Sequence, residues 1–141
     1  MDHRVSTPTL RTSSLTVTAQ AIRTYAELTN DFNPLHVDAE FAAKTPMGRQ
    51  IAHGTMSLCL IWQSLQRTFG AQALAGIELD VRFVKPVHIG DTVTAGGEAS
   101  TDQPRQWNVW VRGDDGVDRI VGVCRLGDES NSVEGDSNGC C

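Results

Sequence analysis

The stretch HGTMSLCLIWQSLQRTF, residues 53–69, decides the fold. Apart from His53 its one charged side chain is Arg67, while Met56, Leu58, Cys59, Leu60, Ile61, Trp62, Leu65 and Phe69 crowd nearly the whole circumference of a helix drawn through it. A helix apolar on almost every side has to be wrapped by other structure. Gly70 supplies its C-terminal stop, and beyond it the period changes. Ile77, Leu79, Val81 and Phe83 alternate with Glu78, Asp80 and Arg82, the two-residue repeat of a strand. Residues 87–99, 107–112 and 119–126 read as further strands, with Pro86 and the Asp115-Gly116 pair as turns between them. A buried helix followed by antiparallel strands predicts an α+β domain in which a curved antiparallel sheet wraps around a long central helix.

Upstream, residues 15–18 alternate as a short strand, and residues 19–28 form a helix with Ile22, Tyr25, Ala26 and Leu28 near one face. Asn33-Pro34 then breaks the helical pattern and puts a turn inside a loop over residues 30–38. Residues 39–44 make one or two helical turns capped by Asp38, and residues 45–50 are irregular. These elements divide the chain into a flexible arm, residues 1–12, a single domain, residues 13–127, and a disordered tail, residues 128–141, too rich in Gly, Ser, Asn and Asp to bury anything. Trp107 and Trp110 fall on opposite faces of one strand, so one packs in the core and the other at an interface.

A chain of 141 residues can bury the core of one domain without staples. Its formal charge of -5, with scattered basic residues, argues against a nucleic-acid partner. The longest apolar run, residues 58–62, is far short of the roughly 20 residues that cross a bilayer, so no membrane partner is expected. Cys59, Cys124, Cys140 and Cys141 lack the spacing of a zinc or redox motif, and His3 and His88 have no companions at ligand spacing. Reduced thiols, a cytoplasmic location and no metal centre are the expectation.

The chemistry sits in DFNPLHVD, residues 31–38, and IAHG, residues 51–54. Fully extended backbone would hold Asp31 and His36 roughly 17 Å apart, so they meet only if the chain turns between them. Asn33-Pro34 supplies that turn. A carboxylate and an imidazole facing one water form a general acid-base pair. Gly54 stands where the buried helix opens, with no side chain to keep a substrate carbonyl from an unpaired N–H. Such an amide receives negative charge developing on an oxygen. Plainer duties compete: Asp31 as a turn residue, His36 as a surface histidine, His53 as a fastener of the loop, Asp38 as a helix cap, and Arg49 as a solvated cation.

Over residues 15–126 the chain resembles the MaoC-like family of (R)-specific enoyl-CoA hydratases, whose signature reads D-x-N-P, an apolar residue, H-x-D, and later an apolar residue close before H-G. The resemblance implies the hot-dog fold, reversible hydration of an enoyl thioester, and a homodimer with the acyl chain in a tunnel near the subunit interface. It implies Asp31 and His36 as the catalytic pair, the Gly54 amide as oxyanion donor and Asn33 as a brace. Asn33, His53, Ser57 and Trp62 are the residues expected on the substrate side. No cofactor is implied beyond the coenzyme A or acyl-carrier arm of the substrate. The chain departs from the family at Trp62, where members place a small Ser nine residues after the His of H-G. A large indole there should shorten or redirect the acyl pocket, with Ser57 and Ser64 as candidate replacements for the hydroxyl. A biosynthetic dehydratase acting on a carrier-bound acyl group, a thioesterase on the same fold and a non-catalytic acyl-binding subunit stay open as alternatives.

Overall fold

The apolar run of residues 53–69 becomes the longest helix of the computed structural model, which describes residues 7–127. In chain order the elements are β1 (Ser13–Thr16), α1 (Ala19–Thr29), α2 (Pro34–Val37), α3 (Ala39–Ala43), α4 (Gly54–Phe69), a 3-10 turn over Ala71–Gly76, then β2 (Glu78–Phe83), β3 (Thr92–Ala99), β4 (Gln106–Gly113) and β5 (Asp118–Arg125). The strands form one antiparallel five-stranded sheet in the order β1-β3-β4-β5-β2.

Register explains how the sheet receives α4. Val93 pairs with Gly113, Ala95 with Val111 and Gly97 with Val109 across β3 and β4, and Val109, Val111 and Trp107 continue onto Gly122, Ile120 and Cys124 of β5. These residues share one face. Met56, Leu60, Ile61 and Leu65 of α4 are buried against Val93, Ala95, Val109, Val111, Ile120 and Cys124 of that face. Each large aliphatic side chain removed from water there contributes ~1.5–3 kcal/mol. Thr55, Gln63, Gln66 and Arg67 form the exposed stripe of α4, so the helix is cradled on the sheet with Leu58, Trp62 and Phe69 half-covered at its flanks. The α+β layout and the helix-in-sheet arrangement of a hot-dog fold are therefore present.

Several local expectations change. The second half of the N-terminal arm is tied down: Leu10 is buried at 4% exposure, and its N–H donates to Gly97 O. The Ser64 hydroxyl and the Arg67 guanidinium also donate to the carbonyls of Arg11 and Thr12. A single Leu among Thr and Arg residues has no periodicity, so nothing local announced this contact. Leu28 is 77% exposed, because six residues from Ile22 place it about 120° away from the buried stripe. The strand expected from residue 87 begins at Thr92, since Gly90 (φ 91) turns the chain and donates its N–H to Val17 O. Trp107 packs edge-on to Phe69 at 5.3 Å, while Trp110 lies on the opposite face with Arg112 4.5 Å over its ring. Residues 1–6 and the tail, residues 128–141, lie outside the described residues, and the reading of that tail as disordered lies there with them. No helix among the described residues is long and apolar enough to cross a membrane.

Cys124 is a free thiol buried in the core, and burial pushes its pKa up to about 11. At pH 8 only about one Cys124 in a thousand is thiolate. Alkylation of the native protein at that pH, followed by peptide mapping, is expected to leave Cys124 unmodified until denaturant is added. Rapid native labelling at Cys124 would contradict the packing described.

Candidate active site

The site is assembled where α1 stops. Asn30 adopts the left-handed conformation (φ 55), which Asn tolerates better than most residues, and its N–H still reaches Ala26 O. Asp31 is thereby thrown clear of the helix, and its Oδ1 accepts the Asn33 N–H at 3.2 Å. Asn33 in turn accepts the Leu35 N–H at 3.0 Å, capping α2, whose first position is Pro34. Proline suits that position because its missing N–H would have had no helical partner. One turn of α2 carries His36 back toward Asp31.

His36 is held at two points. Its Nδ1 lies 2.9 Å from Ile51 O, and Gln50 Nε2 donates to the His36 carbonyl at 2.7 Å. A carbonyl only accepts, so Nδ1 carries the proton of that bond and Nε2 is the nitrogen left to exchange one. His53, the buried N-cap residue of α4, donates from Nε2 to Asp31 O at 2.9 Å and stacks on His36 with ring centroids 4.0 Å apart. It fastens the Asp31 loop and backs the His36 ring. Tyr25 leans on the other side of His53 at 4.9 Å and donates its hydroxyl to Thr55 Oγ1 at 2.6 Å.

Ligating atoms of Asp31, His36 and His53 all lie within 4.8 Å of one another. Proximity of this kind also suits a metal, but the ring geometry opposes it. An imidazole binds an ion in its own plane, and two rings stacked with 26° between their planes cannot both aim a lone pair at one ion without turning. As folded, the group is arranged so that it can exchange protons with a shared water.

α4 begins beside it. His53 makes no side-chain cap bond, and the amides of Gly54 and Thr55 precede the first helical acceptor. Gly54 lines a cleft of about 300 Å³ together with His36, Ser57, the buried Val87 and Ile120, and the exposed Phe83. A Cβ at residue 54 would stand 3.0 Å from Phe83 Cε1, so Gly54 admits both that ring and a ligand's approach. A larger open groove of about 420 Å³, lined by Leu15, Leu28 and Met56 among others, contains none of Asp31, His36 or Gly54.

The far wall of the cleft was invisible in the sequence. Ala52 N–H donates to Val87 O and Ile89 N–H to Gln50 O, which lays residues 84–89 against the His36 loop. Arg119, 7% exposed, holds the same wall: its carbonyl accepts the Val84 and Lys85 amides, while its guanidinium pairs with Asp91 at 3.5 Å and Asp115 at 3.2 Å. The Val117 amide and Arg119 hold the Asp115 carboxyl below its ordinary value, so any support it lends is present at neutral pH and lost as pH falls through the lowered value.

Of the other expected positions, Asp38 caps α3 by accepting the Phe41 N–H at 3.1 Å. Arg49 is mostly exposed and lies 3.7 Å from Asp91. Trp62 is not brought to the cleft. It lies about 12 Å further along α4 than Gly54 and packs half-buried against the core.

Residues 2–118 match the family described as the MaoC like domain. The chain is 33% identical over 105 residues to the 3-hydroxybutyryl-CoA dehydratase of Methylorubrum extorquens, covering 74% of this chain and 61% of that protein. It is 36% identical over 77 residues to the (R)-specific enoyl-CoA hydratase of Aeromonas caviae, covering 55% of this chain and 58% of that one. It thus spans about three fifths of the length of these curated relatives. Among solved structures, the (R)-hydratase from A. caviae involved in PHA biosynthesis is similar at 30% identity and TM-score 0.64, over 86% of this chain and 98% of that chain.

Proposed function

Because the chain belongs to the MaoC-like dehydratase family, we propose that it is a cytoplasmic, (R)-specific hydratase that reversibly adds water to a trans-2-enoyl thioester. The observation that carries the reading is the meeting of Asp31 and His36, with His36 Nδ1 committed to Ile51 O and Nε2 available. The two groups bind one water beside C3 of the substrate. As the water oxygen bonds to C3, the pair takes one proton from the water and returns one to C2, so the cluster ends as it began. Between those events charge moves onto the thioester oxygen, where the Gly54 amide receives it. No metal or bound cofactor enters the scheme, and coenzyme A or a carrier arm is part of the substrate.

The cleft is only about 300 Å³, with the buried Val87 and Ile120 in its lining, which favours a short acyl group. Assembly as a homodimer fits the described surface: β2 has β5 as its one neighbour in the sheet, and Phe83 and Val84 beside it are 56% and 45% exposed.

Crotonyl-CoA is the first substrate to test. Loss of its conjugated absorbance without release of free thiol, and recovery of a 3-hydroxyacyl product of R configuration, is the expected result. Thiol release instead would assign a thioesterase. Background rates across enoyl thioesters of several lengths would remove the reading.

A further inference from the structure

Ser57 is 2% exposed, yet it lines the cleft together with Gly54 and His36. The other buried serines of the described residues have partners: Ser13 Oγ donates to Gln63 Oε1 at 2.6 Å, and Ser64 Oγ donates to Arg11 O. Ser57 Oγ has none among the described residues. The fully buried side-chain polar atoms without a partner among the described residues are His53 Nδ1 and Arg119 Nε, so the Ser57 hydroxyl keeps a small opening, and the space it borders is the cleft.

Its position on α4 decides what it faces there. Ser57 is three residues on from Gly54, about 4.5 Å along the axis and about 60° around it. Helical side chains lean toward the helix N-terminus, so the hydroxyl reaches back over the first turn, where the Gly54 and Thr55 amides lack helical acceptors. An oxygen in hydrogen-bond contact with the Gly54 N–H therefore lies within reach of Ser57 Oγ. Ser64 cannot take this part, because its hydroxyl is already committed to the N-terminal arm.

We propose that Ser57 Oγ–H is the second hydrogen-bond donor to the thioester oxygen of the substrate, completing with the Gly54 N–H the site that holds negative charge as C2 becomes enolate-like. The assignment rests on the hydratase reading and deepens it. No bond to Ser57 forms or breaks: its proton stays on Oγ, and the oxygen it contacts passes from carbonyl to enolate and back.

The test is Ser57→Ala, read three ways. Steady-state hydration of crotonyl-CoA is expected to lose about 100-fold in kcat, as when one oxyanion donor is removed elsewhere, with KM changed only a few-fold. The thermal midpoint should be kept or raised, since the lost hydroxyl has no protein partner. In the Asp31→Asn background, which slows turnover, the infrared carbonyl stretch of bound crotonyl-CoA should move to higher frequency when Ser57→Ala is added. An active parent with a Ser57→Ala variant of equal kcat overturns the assignment and leaves the hydratase reading standing. A fall in kcat with an unmoved carbonyl band, or with a collapsed thermal midpoint, overturns it too, because the hydroxyl would then be structural. A parent inactive on every enoyl thioester sinks both.

Discussion

Hydration of crotonyl-CoA is expected to fall about 100- to 10,000-fold in kcat when His36 becomes Ala or Asp31 becomes Asn, the range over which a positioned acid or base accelerates proton transfer. The two changes separate chemistry from architecture in different ways. Asp31→Asn removes the charge and keeps a carbonyl oxygen able to accept the Asn33 N–H, so the turn into α2 is retained. The backbone carbonyl that receives His53 Nε2 is untouched. His36→Ala removes the bond to Ile51 O and the stack on His53, and it is expected to lower stability by about 1 kcal/mol. Because both groups act on the same water, the double variant should be scarcely slower than the worse single one. Activities within tenfold of the parent for both single variants would show that this cluster is not the site of reaction. A non-catalytic acyl-binding subunit would bind thioesters equally well in all three forms.

How far these features could be read beforehand depended on whether their cause was local. α4 and β2 are written in period, and Asp38 and Gly70 are written in the backbone chemistry of helix ends. The approach of Asp31 to His36 was legible because Asn33-Pro34 can hardly do anything but turn the chain. Contacts whose cause lies elsewhere in the fold were not. Leu10 is buried because Gly97 leaves room for it on β3, as a Cβ at Gly97 would meet Leu10 Cδ1 at 2.7 Å. Phe83 obeys the alternation of β2 but sits beyond the cover of the core, over Gly54, where exposure serves the cleft. The wall at Val84 and Lys85 depends on the carbonyl of Arg119 thirty-odd residues later, and no local pattern encodes such a bond. Trp62 was read as facing the acyl group because the position was taken from a resemblance. It is half-buried against the core and is not among the residues lining the 300 Å³ cleft.

Gly122→Ala should be the most damaging single-methyl change in the sheet, destabilising the protein by about 3 kcal/mol or more. Gly122 pairs with Val81 in the β2–β5 ladder and with Val109 in the β4–β5 ladder. A Cβ there would stand 2.2 Å from Asp80 O and 2.7 Å from Val81 Cα. Both atoms are backbone, so no rotamer change relieves the overlap, and glycine in a strand commonly marks such a close approach. β2 must move away, and it has no other strand to hold it. Its last residue is Phe83, and residues 84–87 follow directly into the cleft wall, so detachment of β2 opens the site as well as the sheet. Gly116→Ala is the control: nothing lies within 4 Å of its Cβ, and only the positive φ of 80° is penalised, at about 1–2 kcal/mol. Urea unfolding of the two variants should therefore separate them clearly, with activity lost in Gly122→Ala at denaturant concentrations where Gly116→Ala still turns over. A Gly122→Ala protein that melts with the parent would mean that β2 does not lie against β5 in this register.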